Sequence, residues 1–184
     1  AVDRSKAEGQ RNRAILETLY SCGLRVSELV NLKLSDLYFD EGFIKVEGKG
    51  SKQRLVPISP RAINEIKLYF TDRNRIEVKK EYEDFVFVSQ RRGKGLSRIM
   101  IFHMIKELAQ TAGIIKNISP HTFRHSFATH LLEGGANLRA IQCMLGHESI
   151  ATTEIYTHID RNMLRSEIIE HHPRNIKYRK EKER

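Results

Sequence analysis

Two pairs of charged or proton-transferring residues stand at helical spacing in this chain. Arg25 lies three residues before Glu28, so on one turn of helix the carboxylate can hold the guanidinium in place. His121 and Arg124 share this spacing, which puts an anion-binding group beside a group that can transfer a proton. The first pair alone also fits a surface ion pair. Together the two pairs suit chemistry at an anion.

Three further side chains stand at positions where they could take part in chemistry at an anion. Lys49 lies between two glycines, at a predicted hairpin tip from which its ammonium can reach outward. His147 follows a predicted helix end, where the helix dipole favours an imidazolium, and Tyr156 comes nine residues later. Each also has an ordinary interpretation: a solvated lysine in a turn, a helix-capping histidine and a half-buried core tyrosine.

Metal binding is a weaker interpretation of the histidines. His121 and His125 are four residues apart and His130 follows, but no cysteine accompanies them and the HExxH pattern does not occur. We therefore expect no metal site. The two cysteines, Cys22 and Cys143, are too few for a disulfide framework, which favours a reducing, cytoplasmic setting.

Composition predicts one globular domain with a polyanionic partner. The 184 residues include 32 Lys and Arg against 23 Asp and Glu, a formal charge of +9, and 40% are hydrophobic. No apolar run approaches the roughly 20 residues of a membrane span, which excludes membrane-spanning enzymes, and no apolar signal segment opens the chain.

Glycines and capping residues mark the ends of the predicted elements. We expect helices over 11–22, 26–32, 60–70, 97–112, 120–132, 137–145, 149–156 and 160–169, and strands over 37–39, 43–47 and 54–58, with a further strand-like run at 85–88. The predicted fold is mainly α with a small three-stranded antiparallel β-sheet. The basic segment 174–184 is predicted to be disordered in the free protein.

Three segments carry a family resemblance. The chain reads GLRVSEL at 23–29, GKGSKQRLVPI at 48–58 and SPHTFRHSFATHLLEGGANLRAIQCMLGHESIATTEIYTH at 119–158. In order and spacing they resemble the tyrosine recombinase (phage integrase) family, and within it the bacterial Xer recombinases. The resemblance implies a tyrosine recombinase catalytic domain over 1–173 and a basic tail over 174–184. The N-terminal core-binding domain of the family is expected to be absent from this chain.

The resemblance also implies an activity and a set of site residues. The activity is site-specific DNA cleavage and rejoining through a 3′-phosphotyrosyl intermediate, without metal, ATP or any cofactor. In this activity Lys49 would be the general acid, His121 the general base and His147 a hydrogen-bond donor to the phosphate, while Glu28 would orient Arg25. The implied catalytic residues are Arg25, Lys49, His121, Arg124, His147 and the nucleophile Tyr156.

Double-stranded DNA carrying a recombination site is the expected partner. Exposed basic side chains should bind its phosphates and supply most of the affinity. The candidates are Lys52, Arg54, Arg91, Arg92, Lys94 and Arg98. The family's arrangement implies a homo- or hetero-tetramer on DNA, in which the last helix either docks onto a neighbouring subunit or folds back onto its own.

The leading interpretation is Xer-type resolution of chromosome dimers by a bacterial, nucleoid-associated protein. An integrase of a phage or conjugative element shares the same catalytic set, and a topoisomerase-like enzyme shares the phosphotyrosyl step. A DNA-binding module that no longer cuts belongs to a different class. Tyr156→Phe separates that module from the enzymes, because only an enzyme loses a covalent adduct.

Overall fold

Helices and one small sheet make up the computed structural model, which describes residues 2–146 and 161–182, without the side chains of 177–179 and 182. The mainly α fold with a three-stranded antiparallel sheet is confirmed. In chain order the elements of these residues are α1 (Gly9–Cys22), α2 (Val26–Val30), β1 (Leu37–Tyr38), β2 (Phe43–Glu47), β3 (Gln53–Pro57), α3 (Pro60–Arg73), α4 (Arg98–Thr111), α5 (Pro120–Glu133), α6 (Leu138–Leu145), α7 (Arg161–His171) and α8 (Pro173–Lys182). The predicted helix at 149–156 lies outside the described residues.

The sheet is a meander of order β1-β2-β3 with antiparallel pairing throughout. In the long hairpin Phe43 pairs with Pro57 and Glu47 with Gln53. A short 3₁₀ turn at Lys49–Ser51 connects these two strands. The apolar run at 85–88 is not a strand of this sheet, because it makes only isolated bridges, such as the one between Val88 and Gly95.

Helix ends follow the capping chemistry of the sequence. The hydroxyls of Ser59 and Ser97 accept backbone N–H bonds at the starts of α3 and α4, and the amide oxygen of Asn137 does so at α6. Gly23 ends α1 in the left-handed region at φ 61°. A Cβ there would lie 2.4 Å from the Phe127 ring, so glycine lets α1 end against α5.

The site-bearing elements are held by two apolar cores. The first joins α1, the sheet, α3 and α4, and is filled by side chains such as Leu19, Ile44 and Ile66. The second joins α5, α6 and α7 around Phe127 and Met144. The loop after α1 and the C-terminal end of α6 therefore rest on packed helices. No helix of the described residues is long and apolar enough to cross a membrane.

The basic tail is helical where we predicted disorder, so that prediction is wrong over 174–182. α8 docks on its own chain: the Arg174 guanidinium lies 2.7 Å from the buried Glu17 carboxylate. Asn175, 2% exposed, donates to the Ile168 carbonyl at 3.0 Å. A count of charges along the sequence reveals neither the buried Asn175 amide nor the ion pair of Arg174 with Glu17.

The fully buried His172 makes this docking sensitive to pH. Its Nε2–H donates to the Tyr20 carbonyl at 3.2 Å, and its Nδ1 accepts the Arg174 backbone N–H at 3.3 Å, which fixes a neutral ring. Burial, with the nearby His130 and Arg174 charges, lowers the pKa of His172 from 6.5 to about 4.

We expect His172 to make the protein less stable in acid. The unfolded chain takes up this proton as the pH falls through 6.5 and the folded chain does not until about pH 4. His172→Gln keeps a donor without titrating, so its unfolding free energy should fall by about 2–3 kcal/mol less than that of the native protein between pH 7.5 and 4.5. Urea unfolding at both pH values measures this, with His103→Gln as the exposed control. Parallel curves for native and His172→Gln proteins would contradict the account.

Candidate active site

The turn after α1 presents Arg25 with its partner already in place. The Arg25 backbone N–H donates to Glu28 Oε2 at 2.9 Å, and its Nη1 donates to Oε1 at 3.1 Å. Glu28 is buried, whereas the Arg25 side chain is 38% exposed. The carboxylate therefore anchors a guanidinium whose other donors remain accessible.

Arg124 on α5 joins this site from a distant part of the chain. Its Nη1 donates to the Gly23 carbonyl and its Nη2 to the Leu145 carbonyl, both at 2.7 Å. The guanidinium thus bridges the C-terminal ends of α1 and α6, where the helix dipoles favour a cation. Gly23 is two residues before Arg25, and the charge of Arg25 acts on Arg124, so the two arginines lie near each other although 99 positions separate them in sequence.

The two guanidinium groups repel each other. Burial first, and then the charges of Arg25 and Arg54, lower the pKa of Arg124 to about 10, while Glu28 opposes the shift. Arg124 therefore stays protonated at neutral pH. Arg25, Arg54 and Arg124 against Glu28 leave an excess of two positive charges among these four side chains, which suits an anionic ligand.

Arg54 is buried, so its prediction as a phosphate contact on the surface is corrected. Its side chain is 6% exposed. Both its Nη atoms pair with the Glu28 carboxylate, at 2.6 and 3.0 Å, and its Nε donates to the Met144 carbonyl at 2.8 Å. The alternation of β3 could have indicated this, since Arg54 shares a strand face with the fully buried Val56.

Lys49 and His121 stand on the hairpin that carries Arg54 and on the helix that carries Arg124. Lys49 is exposed at the hairpin tip, and a Cβ at the adjacent Gly48 would lie 3.5 Å from Glu28 Oε1, so the hairpin approaches the carboxylate. His121 is exposed in the first turn of α5, one helical turn before Arg124. His147 and Tyr156 lie outside the described residues.

The remaining basic candidates are exposed. The 91–95 loop folds back on itself, with the Ser89 backbone N–H donating to the Lys94 carbonyl at 2.7 Å. Over 2–146 and 161–182, no three His, Cys, Asp or Glu side chains form a group that could hold a metal ion. The exposed candidates are Lys52, Arg91, Arg92, Lys94 and Arg98.

Comparison with known proteins finds similar chains among the Xer recombinases. The tyrosine recombinase XerD of Chlorobaculum tepidum is 51% identical over 164 residues, which cover 89% of this chain and 54% of that protein. The crystal structure of XerA recombinase superposes with a TM-score of 0.70 at 39% identity, covering 91% of this chain and 59% of that one. XerH recombinase bound to its difH substrate, in a pre-cleavage complex, gives 0.69 at 31% identity over 85% of this chain and 45% of that one.

The comparisons confirm both the resemblance and the fold class. The chain spans about half the length of the curated relatives it matches. The model of the phage integrase family matches residues 1–163. The arginine pair around a buried carboxylate is therefore set in a known catalytic fold, and the chain belongs to the phage integrase family.

Proposed function

We propose that this protein is a site-specific tyrosine recombinase that cleaves and rejoins DNA through a 3′-phosphotyrosyl intermediate. The observation that carries the proposal is the convergence of Arg25 and Arg124 around one buried carboxylate. Residues 1–173 would form the catalytic domain. The names of its relatives support the Xer branch, whose members would act in the cytoplasm on the nucleoid.

The arginines would stabilise the reacting phosphate. Tyr156 Oη attacks phosphorus, the bond to the 5′ oxygen breaks, and a tyrosyl phosphodiester keeps the bond energy, so no ATP is needed. Negative charge rises on the non-bridging oxygens as the five-coordinate transition state forms. Guanidinium groups fixed by Glu28, and by the ends of two helices, donate to these oxygens without having to reorganise.

Two protons must move in this reaction. His121 would accept the Tyr156 proton, and Lys49 on the exposed hairpin would donate one to the leaving 5′ oxygen. His147 would donate a hydrogen bond to a non-bridging oxygen. On rejoining, a 5′ hydroxyl attacks the phosphotyrosyl bond and the same proton transfers run in reverse.

Covalent trapping on a nicked duplex tests the proposal. Cleavage close to a nick in the same strand releases a short fragment that carries the leaving 5′ hydroxyl, so rejoining stops and the protein–DNA adduct accumulates. A pool of random nicked duplexes avoids guessing the site. The native protein should give a shifted band on a denaturing gel, and Tyr156→Phe should bind the DNA without giving one. Equal bands from both proteins would refute the assignment, and DNA binding with no band from either would favour a binding module.

The exposed loop at 91–95 should contribute to the salt dependence of DNA binding. If Arg91 and Arg92 each neutralise one phosphate, removing both should reduce the slope of log K against log salt by about 1.8. Fluorescence anisotropy of a labelled duplex at several salt concentrations measures this slope. The control is Lys67→Ala, an exposed α3 position outside the proposed DNA surface. An unchanged slope in the double alanine variant would remove this loop from the interface.

Strand exchange would require a tetramer of recombinases on two DNA sites. α8 packs on its own chain, through Arg174 and Glu17, so docking onto a neighbour would need these contacts to open. Product analysis separates the branches of the family: exchange between two plasmid sites indicates a recombinase. Relaxation of supercoils without exchange indicates a topoisomerase-like enzyme, and joining of an element end to a target favours a mobile-element integrase.

A further inference from the structure

Arg54 ties together three parts of the candidate site from inside the protein. It stands on β3, in the hairpin that carries Lys49. Its two Nη atoms hold both oxygens of Glu28, at 2.6 and 3.0 Å, in a fork that allows little rotation. The same carboxylate anchors Arg25. A shift of β3 would therefore move Glu28 and, with it, the solvent-exposed guanidinium of Arg25.

The third donor of Arg54 extends the connection to α6. Its Nε donates to the Met144 carbonyl at 2.8 Å, next to the Leu145 carbonyl that accepts from Arg124. Gly146 then ends α6 at φ 66°, and a Cβ there would lie 3.1 Å from the Arg54 side chain. The chain thus passes close against Arg54 immediately before His147.

We propose that Arg54 is a positioning residue of the phosphate site, which sets Glu28 and the end of α6 at the spacing that Arg25 and Arg124 need to bind one phosphate together. This inference rests on the proposed function. Arg54 is 6% exposed and would not bind the phosphate itself. It acts through Glu28 on one side and through the α6 carbonyls on the other.

The contact set requires a guanidinium. A carboxylate that accepts from both Nη atoms and a carbonyl that accepts from Nε match the fixed fan of guanidinium donors. The ammonium of a lysine is a point donor and cannot hold both partners in one geometry. Arg54→Lys should therefore keep the positive charge but lose the spacing between Glu28 and the end of α6, whereas Arg54→Met should lose both.

The pH at which Glu28 takes up a proton provides a separate test of this role. Burial would raise the pKa of Glu28, but the hydrogen bonds and charge of Arg54, followed by those of Arg25, hold it below the usual value. The charged groups around the carboxylate are Arg25 from its own turn, Arg54 from β3 and Arg124 from α5, while the Cys22 thiol of α1 lies within reach of the Arg54 charge. Without Arg54, Glu28 should take up a proton at a higher pH and release Arg25.

The kinetic experiment measures adduct formation at saturating DNA in single turnover. Arg54→Met should be slower by on the order of a hundredfold, the usual effect of a displacement of about an ångström, while its Kd for DNA changes by less than about threefold. Its rate should rise with pH as Glu28 ionises, more steeply than that of the native protein. Arg54→Lys should recover part of the rate at every pH.

Arg73→Met is the matched control. Arg73 is buried to the same degree and donates to the carbonyls of Glu83 and Phe85, outside the site. It should lower stability without changing the single-turnover rate or its pH profile. An Arg54→Met or Arg54→Lys protein that forms the adduct at the native rate would overturn the proposal, and so would an equal rate loss in folded Arg73→Met.

A second measurement does not depend on cleavage. Carboxyl ¹³C NMR of glutamate-labelled protein, with the Glu28 signal identified by its loss in Glu28→Gln, follows the ionisation directly. In Arg54→Met, or in Arg54→Lys if the first variant does not fold, the titration should move to higher pH. An unmoved titration overturns the inference. If the native protein forms no adduct, the proposed function fails, and this titration still decides whether Arg54 controls Glu28.

Discussion

Replacing Arg124 with lysine should lower the rate of adduct formation at saturating DNA by at least about a hundredfold. The charge survives, but one ammonium cannot bridge the Gly23 and Leu145 carbonyls and still present a second face to a phosphate. Arg124 also holds the ends of α1 and α6 together, so Arg25 would lose its fixed distance from this cation. DNA affinity should change far less, because many other phosphate contacts supply it.

The measurement is a single-turnover rate on a nicked duplex, with Kd determined separately. Arg139→Lys on the exposed surface of α6 is the control, since it makes the same substitution on an adjoining helix. A loss seen only in Kd, or a rate within about threefold of the native value, would show that Arg124 does not stabilise the transition state.

Glu28→Ala should have the largest effect on stability, a loss of roughly 3 kcal/mol or more in unfolding free energy. The substitution leaves the buried Arg54 guanidinium facing Arg25 and Arg124 without the carboxylate that separates them. Adduct formation should fall together with stability. Urea unfolding and the nicked-duplex assay measure the two effects. Glu47→Ala, at an exposed position of β2, is the control.

Glu28→Gln refines this prediction. The amide keeps the shape of the side chain and one acceptor oxygen, but loses the charge and half of the fork with Arg54. We expect its stability to lie between those of the native protein and Glu28→Ala. A Glu28→Ala protein as stable as Glu47→Ala would mean that the three arginines tolerate one another without a counter-charge.

Local chemistry in the sequence is sufficient to predict most elements. Ser59, Ser97 and Asn137 are capping residues with short-range partners, and Gly23 must end α1 because a left-handed residue is required there. The register of the β2–β3 hairpin follows from the alternation of side chains between the two faces of strands that short turns bound. The pairing of Arg25 with Glu28 is also local, three residues apart on one helical turn.

Contacts between segments that are distant in sequence could not be predicted from local chemistry. Arg54 looks like any other basic residue of an exposed hairpin until α2 and α6 are placed around it, and only its strand face indicates burial. α8 looks disordered by charge, yet His172 and Arg174 anchor it through partners far away in the chain, Tyr20 and Glu17. The meeting of Arg124 with Arg25 likewise depends on how α5 packs against α1.

The most direct test of the account is to identify which residue becomes linked to DNA, and through which end. The trapped adduct is digested with nuclease and protease, and the nucleotide-bearing peptide is sequenced by mass spectrometry. We expect a single modified peptide containing Tyr156, joined to a 3′ phosphate and leaving a free 5′ hydroxyl. A nucleotide on any of the other five tyrosines, such as the exposed Tyr38, or a link through a 5′ phosphate, would contradict it.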